Sequence, residues 1–448
     1  MKSKTFHSLQ FHNFRLWFIT NLAGATATWM QRVAQTWIVL TVLTDNDAFA
    51  VGVTTALQFA PPLVLGPFAG ALADWANRRR IIQLTQAWVA VMGLLLGVLV
   101  LTETAELWHV YAIALITGIV DGITPSMRST FISELVPKES LPNAVGLNST
   151  AFNIARLIGP AVAGVLIAAV GPGWVFVINF GIFIIPITTL GIMRQADFYP
   201  IEHQPRHKGM IREGFEYVRT RSDIKAVILL ITITSMFGFN MQMTQAFMAT
   251  EAYGKGPGEY GLLGSAMAVG SLTGALMAAR RANPRFAMVL WGIFSFGLME
   301  GLLALSPTYW AFAVLSVPAG YAQLTILTTA NALLQVTSPE HLRGRVMSLY
   351  FMFNFGATPF GAPIVGWVGE HIGPRWSLGV GAIACMGIAG VVGLWAVIAW
   401  KVRFAPTRRW PFVLIEGPRE RFYHCGPSPL QVTDPQDPGY CGPSGSDD

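Results

Sequence analysis

Only 12% of the 448 residues are Asp, Glu, Lys or Arg, about half the charged share of an ordinary soluble domain. A surface wetted on every side cannot be covered at that density, which excludes a soluble globular fold. Cysteine is scarce too. Cys385, Cys425 and Cys441 are too few and too scattered for a disulfide framework or a metal-ligand set, so no metal is expected. No phosphate-binding loop and no Ser-His-Asp pattern occurs, so neither ATP-driven pumping nor hydrolysis is expected of this chain, and no catalytic residue or cofactor is assigned. GVGAIA at 379–384 mimics a dinucleotide fingerprint. No strand precedes it, and it falls inside an apolar stretch. The start, MKSKTFHSLQFHNFRLWF, is basic and runs into apolar sequence with no small-residue cleavage site, so no cleavable signal is expected.

What the chain has is apolar length. Hydrophobic residues make up 53%, and mean hydropathy is +0.49. Stretches long enough to cross the hydrocarbon core as helices fall at 14–43, 50–74, 81–102, 107–133, 143–170, 174–193, 224–250, 259–280, 286–305, 309–336, 346–369 and 376–400. Twelve spans with the N-terminus inside put 25 of the 30 Lys and Arg on the cytoplasmic side. Lys255 and Arg375 alone fall in outer loops, and Arg32, Arg128 and Arg156 lie within spans. That asymmetry orients a membrane protein with both termini cytoplasmic. The net charge of +6 is then membrane orientation, and nucleic acid is not an expected partner.

Residues 194–223 form the longest polar connection. Ile211, Phe215 and Val218 stand there at helical spacing among Arg and Glu, the pattern of an amphipathic helix lying on the cytoplasmic face. On either side the sequence repeats. At an offset of 202, Trp108 pairs with Trp310, Gly118 with Gly320, Gly159 with Gly361, Gly164 with Gly366, Gly171 with Gly373 and Pro172 with Pro374. The expected organisation is a first six-helix bundle at 1–193, a linker at 194–223, a second bundle at 224–402, and a disordered Pro/Gly/Asp/Ser-rich tail at 403–448.

The stretch GPFAGALADWANRRR at 66–80 ends an apolar helix in one carboxylate and three arginines, and Asn77 suits a tight left-handed turn. Gly70, Leu72, Asp74, Arg78 and Arg79 match in register the Gly-x-Leu-x-Asp-basic-x-Gly-Arg-Arg loop signature, so the chain resembles the major facilitator superfamily. Trp75 and Asn77 depart from it. The resemblance implies an all-α membrane protein of twelve transmembrane helices in two pseudo-symmetric six-helix bundles. It also implies a conformational latch at Gly70, Asp74, Arg78 and Arg79, whose arginines contact acids of neighbouring helices; Glu134 is available.

In GLNSTAFNIARLIGPAVAG from Gly146, the residues Gly146, Ala155, Gly159, Pro160, Ala163 and Gly164 resemble the antiporter motif of drug-exporting facilitators. Small residues there allow close packing, and Pro160 removes a backbone donor, permitting a bend. Charges within spans are costly and normally paired or turned to a cavity. The candidates for proton coupling are Asp121, Arg128, Arg156, Arg32 and Glu300, with Glu300 placed nearer the outer surface. Asp121 is the expected proton carrier, Arg128 stands two turns along the same face, and Arg156 or Arg32 is the candidate partner. A fixed pair that only holds helices together is the competing reading. Gln31, Gln35 and Trp29 on the first helix, with Gln242 and Gln245 on the seventh, are candidates for lining a substrate cavity of rings and amides.

The first helix, with RGRVMSLYFMFNFGATPFGAPIVGWV at 343–368, is similar to the bacterial branch that includes the enterobactin exporter and macrolide-efflux proteins. That resemblance implies a proton-coupled antiporter in the bacterial inner membrane, exporting a hydrophobic or amphipathic small molecule by alternating access. Its partners are the cargo, protons and the lipid bilayer, and a monomer is expected. An importer or symporter on the same fold, and a membrane sensor that transports nothing, are the alternatives.

Overall fold

The computed structural model describes residues 4–75, 77–199, 210–278, 284–399, 403–406 and 413–416, and within them the apolar stretches are helices. The first half holds α1 (His12–Ile38), α2 (Ala48–Trp75), α3 (Arg78–Leu101), α4 (Leu107–Glu134), α5 (Leu141–Val170) and α6 (Pro172–Gly191). A linker helix, α7 (Met210–Thr220), follows. The second half holds α8 (Ser222–Phe237) continued by α9 (Met241–Phe247), then α10 (Pro257–Ala278), α11 (Phe286–Leu305) and α12 (Tyr309–Thr337). It closes with α13 (Glu340–Gly356) continued by α14 (Thr358–Ile372), and α15 (Pro374–Ala399).

Among the described residues, ten passages are long and apolar enough to cross a membrane by length and composition. Two more fall short for local reasons. α1 carries Asn21, Gln31, Arg32 and Gln35, and α13 and α14 are pieces of 17 and 15 residues parted at Ala357. Together they make the twelve spans of two six-helix bundles.

The internal repeat is visible in what each paired glycine touches. A Cβ at Gly118 of α4 would strike the backbone of Gln58 in α2, and one at Gly320 of α12 would strike Met267 in α10. Gly159 of α5 backs onto Trp29 of α1, as Gly361 of α14 backs onto Met236 of α8. Gly171 and Gly373 take φ of 85° and 129°, which L-residues avoid, and each is followed by the proline that starts the next helix. In a bilayer lipid is as apolar as leucine, so such close approaches, rather than hydrophobic burial, hold helices together.

One pair of glycines joins the halves instead. Gly164 of α5 would place a Cβ 2.5 Å from the carbonyl oxygen of Pro257 at the start of α10, and its repeat partner Gly366 of α14 meets Ala48 at the start of α2. Gly261 meets Pro160 in the same seam. α2 runs from Ala48 toward Arg78, and Gly164 lies about 35 Å along α5 from its start at Leu141, so these contacts lie at the end of the molecule opposite Arg78–Arg80. There the halves touch backbone to backbone. Gly146, near the basic end of α5, has nothing within 4 Å of its Cβ position.

Two local details differ from expectation. Asn77 has φ −70° and ψ 96°, and its side chain accepts from Arg80 N at 3.1 Å. It is the N-cap of α3, because an Asn oxygen that satisfies an orphan helix donor is worth more here than a left-handed turn. Beyond the last span, where no structure is expected, Arg403–Pro406 and Val413–Glu416 pair as antiparallel strands β1 and β2. The run Val413, Leu414, Ile415 has the β-branched and aliphatic character that favours pairing; Cys425 and Cys441 lie outside the described residues. In the linker, Val218 is buried and Phe215 meets Phe353 of α13 edge-on. Arg221 donates from Nε and Nη2 to the Asp223 carboxylate at 2.9 and 2.7 Å, clamping the α7–α8 junction.

Candidate functional site

Between the halves lies a cavity of about 260 Å³, lined from α1, α2 and α5 on one side and from α8, α9, α10, α12, α13 and α14 on the other. This is just under the range of about 300–1,000 Å³ common for small-molecule sites. Trp29, Gln35, Gln242 and Gln245 line it, together with Phe59, Phe239, Tyr260 and Phe355. Gln31 does not. Four residues at 100° each carry it about 40° further round α1 than Gln35, where it accepts from Asn179 Nδ2 at 3.4 Å and packs on Gly93 of α3. Gln58, Gln323, Asn240 and Asn354 also reach the cavity. Each is an amide within largely apolar sequence, which is the signal that marks it.

Of the two candidate partners of Asp121, Arg32 is the one that meets it. Arg32 Nη2 donates to Asp121 Oδ2 at 3.2 Å, and Gln58 Nε2 lies 3.5 Å from the same oxygen. The two side chains are 23% and 33% exposed, so this pair remains within reach of water. Arg128 is drawn instead to Asn21, donating to Oδ1 at 3.4 Å. Its place two turns below Asp121 aligns the backbones, but Arg32 comes from across the helix interface, where guanidinium and carboxylate meet head-on. Arg32 lines the cavity and lies over the rings of Trp29 and Phe59, at 5.6 and 5.7 Å.

Arg156 lines the cavity as well, 5.6 Å from the Trp29 ring. It crosses between halves, donating from Nη2 to Gln323 Oε1 at 3.0 Å. Among the described residues no ion pair is formed with it. Glu300 belongs elsewhere. Late in its span, as its place in the sequence says, it is 1% exposed, wedged between α11 and α15 against Gly381 and bonded to the buried Cys385 thiol. It takes no part in lining the cavity.

Residues 3–419 match the family model described as transmembrane secretion effector. The chain belongs to this family of major facilitator transporters. The multidrug efflux pump Tap of Mycolicibacterium fortuitum is 24% identical over 352 residues, covering 76% of this chain and 85% of Tap. The enterobactin exporter EntS of Salmonella typhimurium is 24% identical over 349 residues, covering 75% and 81%. In fold, the chain is similar to a POT family transporter solved with 5-aminolevulinic acid, with TM-score 0.70 and 11% identity over 86% of this chain and 96% of that one. This secretion effector is thus a multi-pass membrane transporter and not an enzyme.

The secretion effector's loop residues act through helix ends. Arg78 is 7% exposed and donates to Glu134 at the end of α4. Arg79 makes no acidic contact among the described residues. It donates to the carbonyls of Leu190 (2.6 Å), Gly191 and Met193 (3.0 Å), closing the carbonyl end of α6, where a cation meets the negative end of the helix dipole. Charge-assisted bonds of this kind contribute about 1.5–3 kcal/mol each, so Arg79→Leu should lower the thermal midpoint of the detergent-purified protein, whereas Arg80→Leu should not. The side chains of Gly70 and Asp74 fall outside the described residues. In the α5 motif, Gly159 packs within its own half, whereas Pro160 and Gly164 meet the other half.

Proposed function

We propose that this secretion effector exports an amphipathic small molecule in exchange for protons, as a monomer in the bacterial cytoplasmic membrane. The Lys and Arg asymmetry supports placing both termini and the Arg78–Arg80 end in the cytoplasm, so that the Gly164–Gly366 seam closes the outer end. The cavity is then offered to cytoplasmic cargo. The names of Tap and EntS support the direction. Residues 1–193 and 224–402 serve as the two rocking bodies, and Asp74 with Arg78 and Arg79 as the latch that biases one arrangement over the other.

The observation that carries the proton step is the Arg32–Asp121 pair at the cavity edge. A proton on Asp121 removes the charge that holds Arg32, which then turns to the cavity. One group thereby answers to protons and to the space that cargo needs. Reconstituted vesicles of defined orientation, loaded with fluorescent amphipaths of positive, neutral and negative charge, test this. Cargo should move only when the cargo-receiving compartment is made acid, and a protonophore should stop it. Movement indifferent to the gradient sinks the exchange, and cargo moving together with protons makes the protein a symporter.

A further inference from the structure

Among the described residues, the cavity carries one cation that no carboxylate neutralises. Its lining contains seven amide side chains and two arginines, and no Asp or Glu among the described residues. Arg32 has its carboxylate. Among the described residues Arg156 has the neutral Gln323 and the face of Trp29 and no acid. The buried polar atoms left without partners lean the same way: Arg32 Nε, Gln35 Nε2 and Gln242 Nε2 are donors, against one acceptor, Asn240 Oδ1. A desolvated guanidinium without a counter-charge is unfavourable, and a site with surplus donors is completed by a ligand that accepts.

Resting on the transport reading above, we propose that the cargo of this transporter is an organic anion, an aromatic molecule bearing a carboxylate or similar group, and that Arg156 is its anchor. The anion takes the place of Gln323 on the guanidinium, where a planar fork of donors fits two acceptor oxygens. Its ring lies among Trp29, Phe59 and Tyr260. Direction is consistent with this: an anion leaving the cell moves with an inside-negative membrane potential rather than against it. The bland role for Arg156, a tie between the halves through Gln323, requires no ligand charge at all.

The test is binding to the detergent-purified full chain, read by dansyl emission, with dansylglycine (anionic), dansylamide (neutral) and dansylcadaverine (cationic) as probes. Dansylglycine should bind about tenfold or more tighter than dansylamide, the scale of one charge-assisted bond, and dansylcadaverine weakest. Arg156→Gln should bring the dansylglycine-to-dansylamide ratio close to one. Gln323→Glu, which retains the guanidinium and supplies an internal carboxylate, should do the same. It carries the test where Arg156→Gln does not fold. A wild type that does not bind dansylglycine saturably, that prefers dansylcadaverine, or whose preference survives both substitutions overturns the anchor. Binding in detergent needs no gradient. A charge preference retained alongside flux indifferent to protons therefore refutes the exchange reading alone, and proton-driven flux without the preference refutes this one alone.

Discussion

Asp121→Asn should leave the transporter folded and unable to use acid. Asparagine has the shape of aspartate but does not ionise, so Arg32 loses its counter-charge permanently, where the proposed exchange has it lost only while Asp121 carries a proton. Removing one member of a buried ion pair costs about 3–5 kcal/mol. With 23% and 33% of the two side chains exposed, water offsets part of that, and a tenfold or greater fall in acid-driven extrusion is the expected scale. The profile matters more than the size. Extrusion by the variant should be flat against pH on the acid side, whereas the Arg128→Gln protein, altered at a residue hydrogen-bonded to Asn21 and felt by Asp121 only through its charge, should still respond to acid. An Asp121→Asn protein that still followed pH would move the proton step to another group.

Gly164→Val and Gly366→Val should each stop transport by a different route. In both, the new side chain meets a backbone carbonyl of the opposite half, Pro257 or Ala48, and a carbonyl held in a helix start cannot swing aside. Overpacking costs about 1–3 kcal/mol, which moves a two-state equilibrium by about 5- to 150-fold. The population closed at the far end should fall accordingly. Distances between spin labels placed on α2 and α14 at that end should lengthen in both variants, and stay as they are in Gly146→Ala, which has open space around it. Unchanged distances with lost transport would mean that the seam is not where the halves part.

Much of the fold was legible because its determinants are local or repeat. Twelve apolar stretches each exceed the width of hydrocarbon, and glycines such as Gly118 and Gly320 recur because the same backbone approach recurs. The site was legible in composition and only partly in pairing. Of the two arginines offered to Asp121, Arg32 and Arg156, the structure takes Arg32 from α1, while Arg128, two turns along the same helix, bonds Asn21; no arithmetic within α4 decides between them. Gln31 and Gln35 look equivalent as text, although α1 turns only one of them to the cavity. Glu300 lies late in its span, as its place in the sequence says, but that place does not announce its burial. The glycine that lets it sink against α15 is 81 residues further on. Arg79 was expected on an acid, and its partners are the carbonyls of a helix end, which no residue type announces.

The far-end seam brings glycine, alanine and proline backbones of the two halves into van der Waals contact, and one turn beyond Gly366 the Glu370 carboxyl meets Asp47, the residue before Ala48. At the glycine contacts there is no room for a side-chain carbon, and so none for a file of water molecules. An end packed this tightly offers ions no path, so many copies of such a protein can sit in one membrane without leaking its gradients.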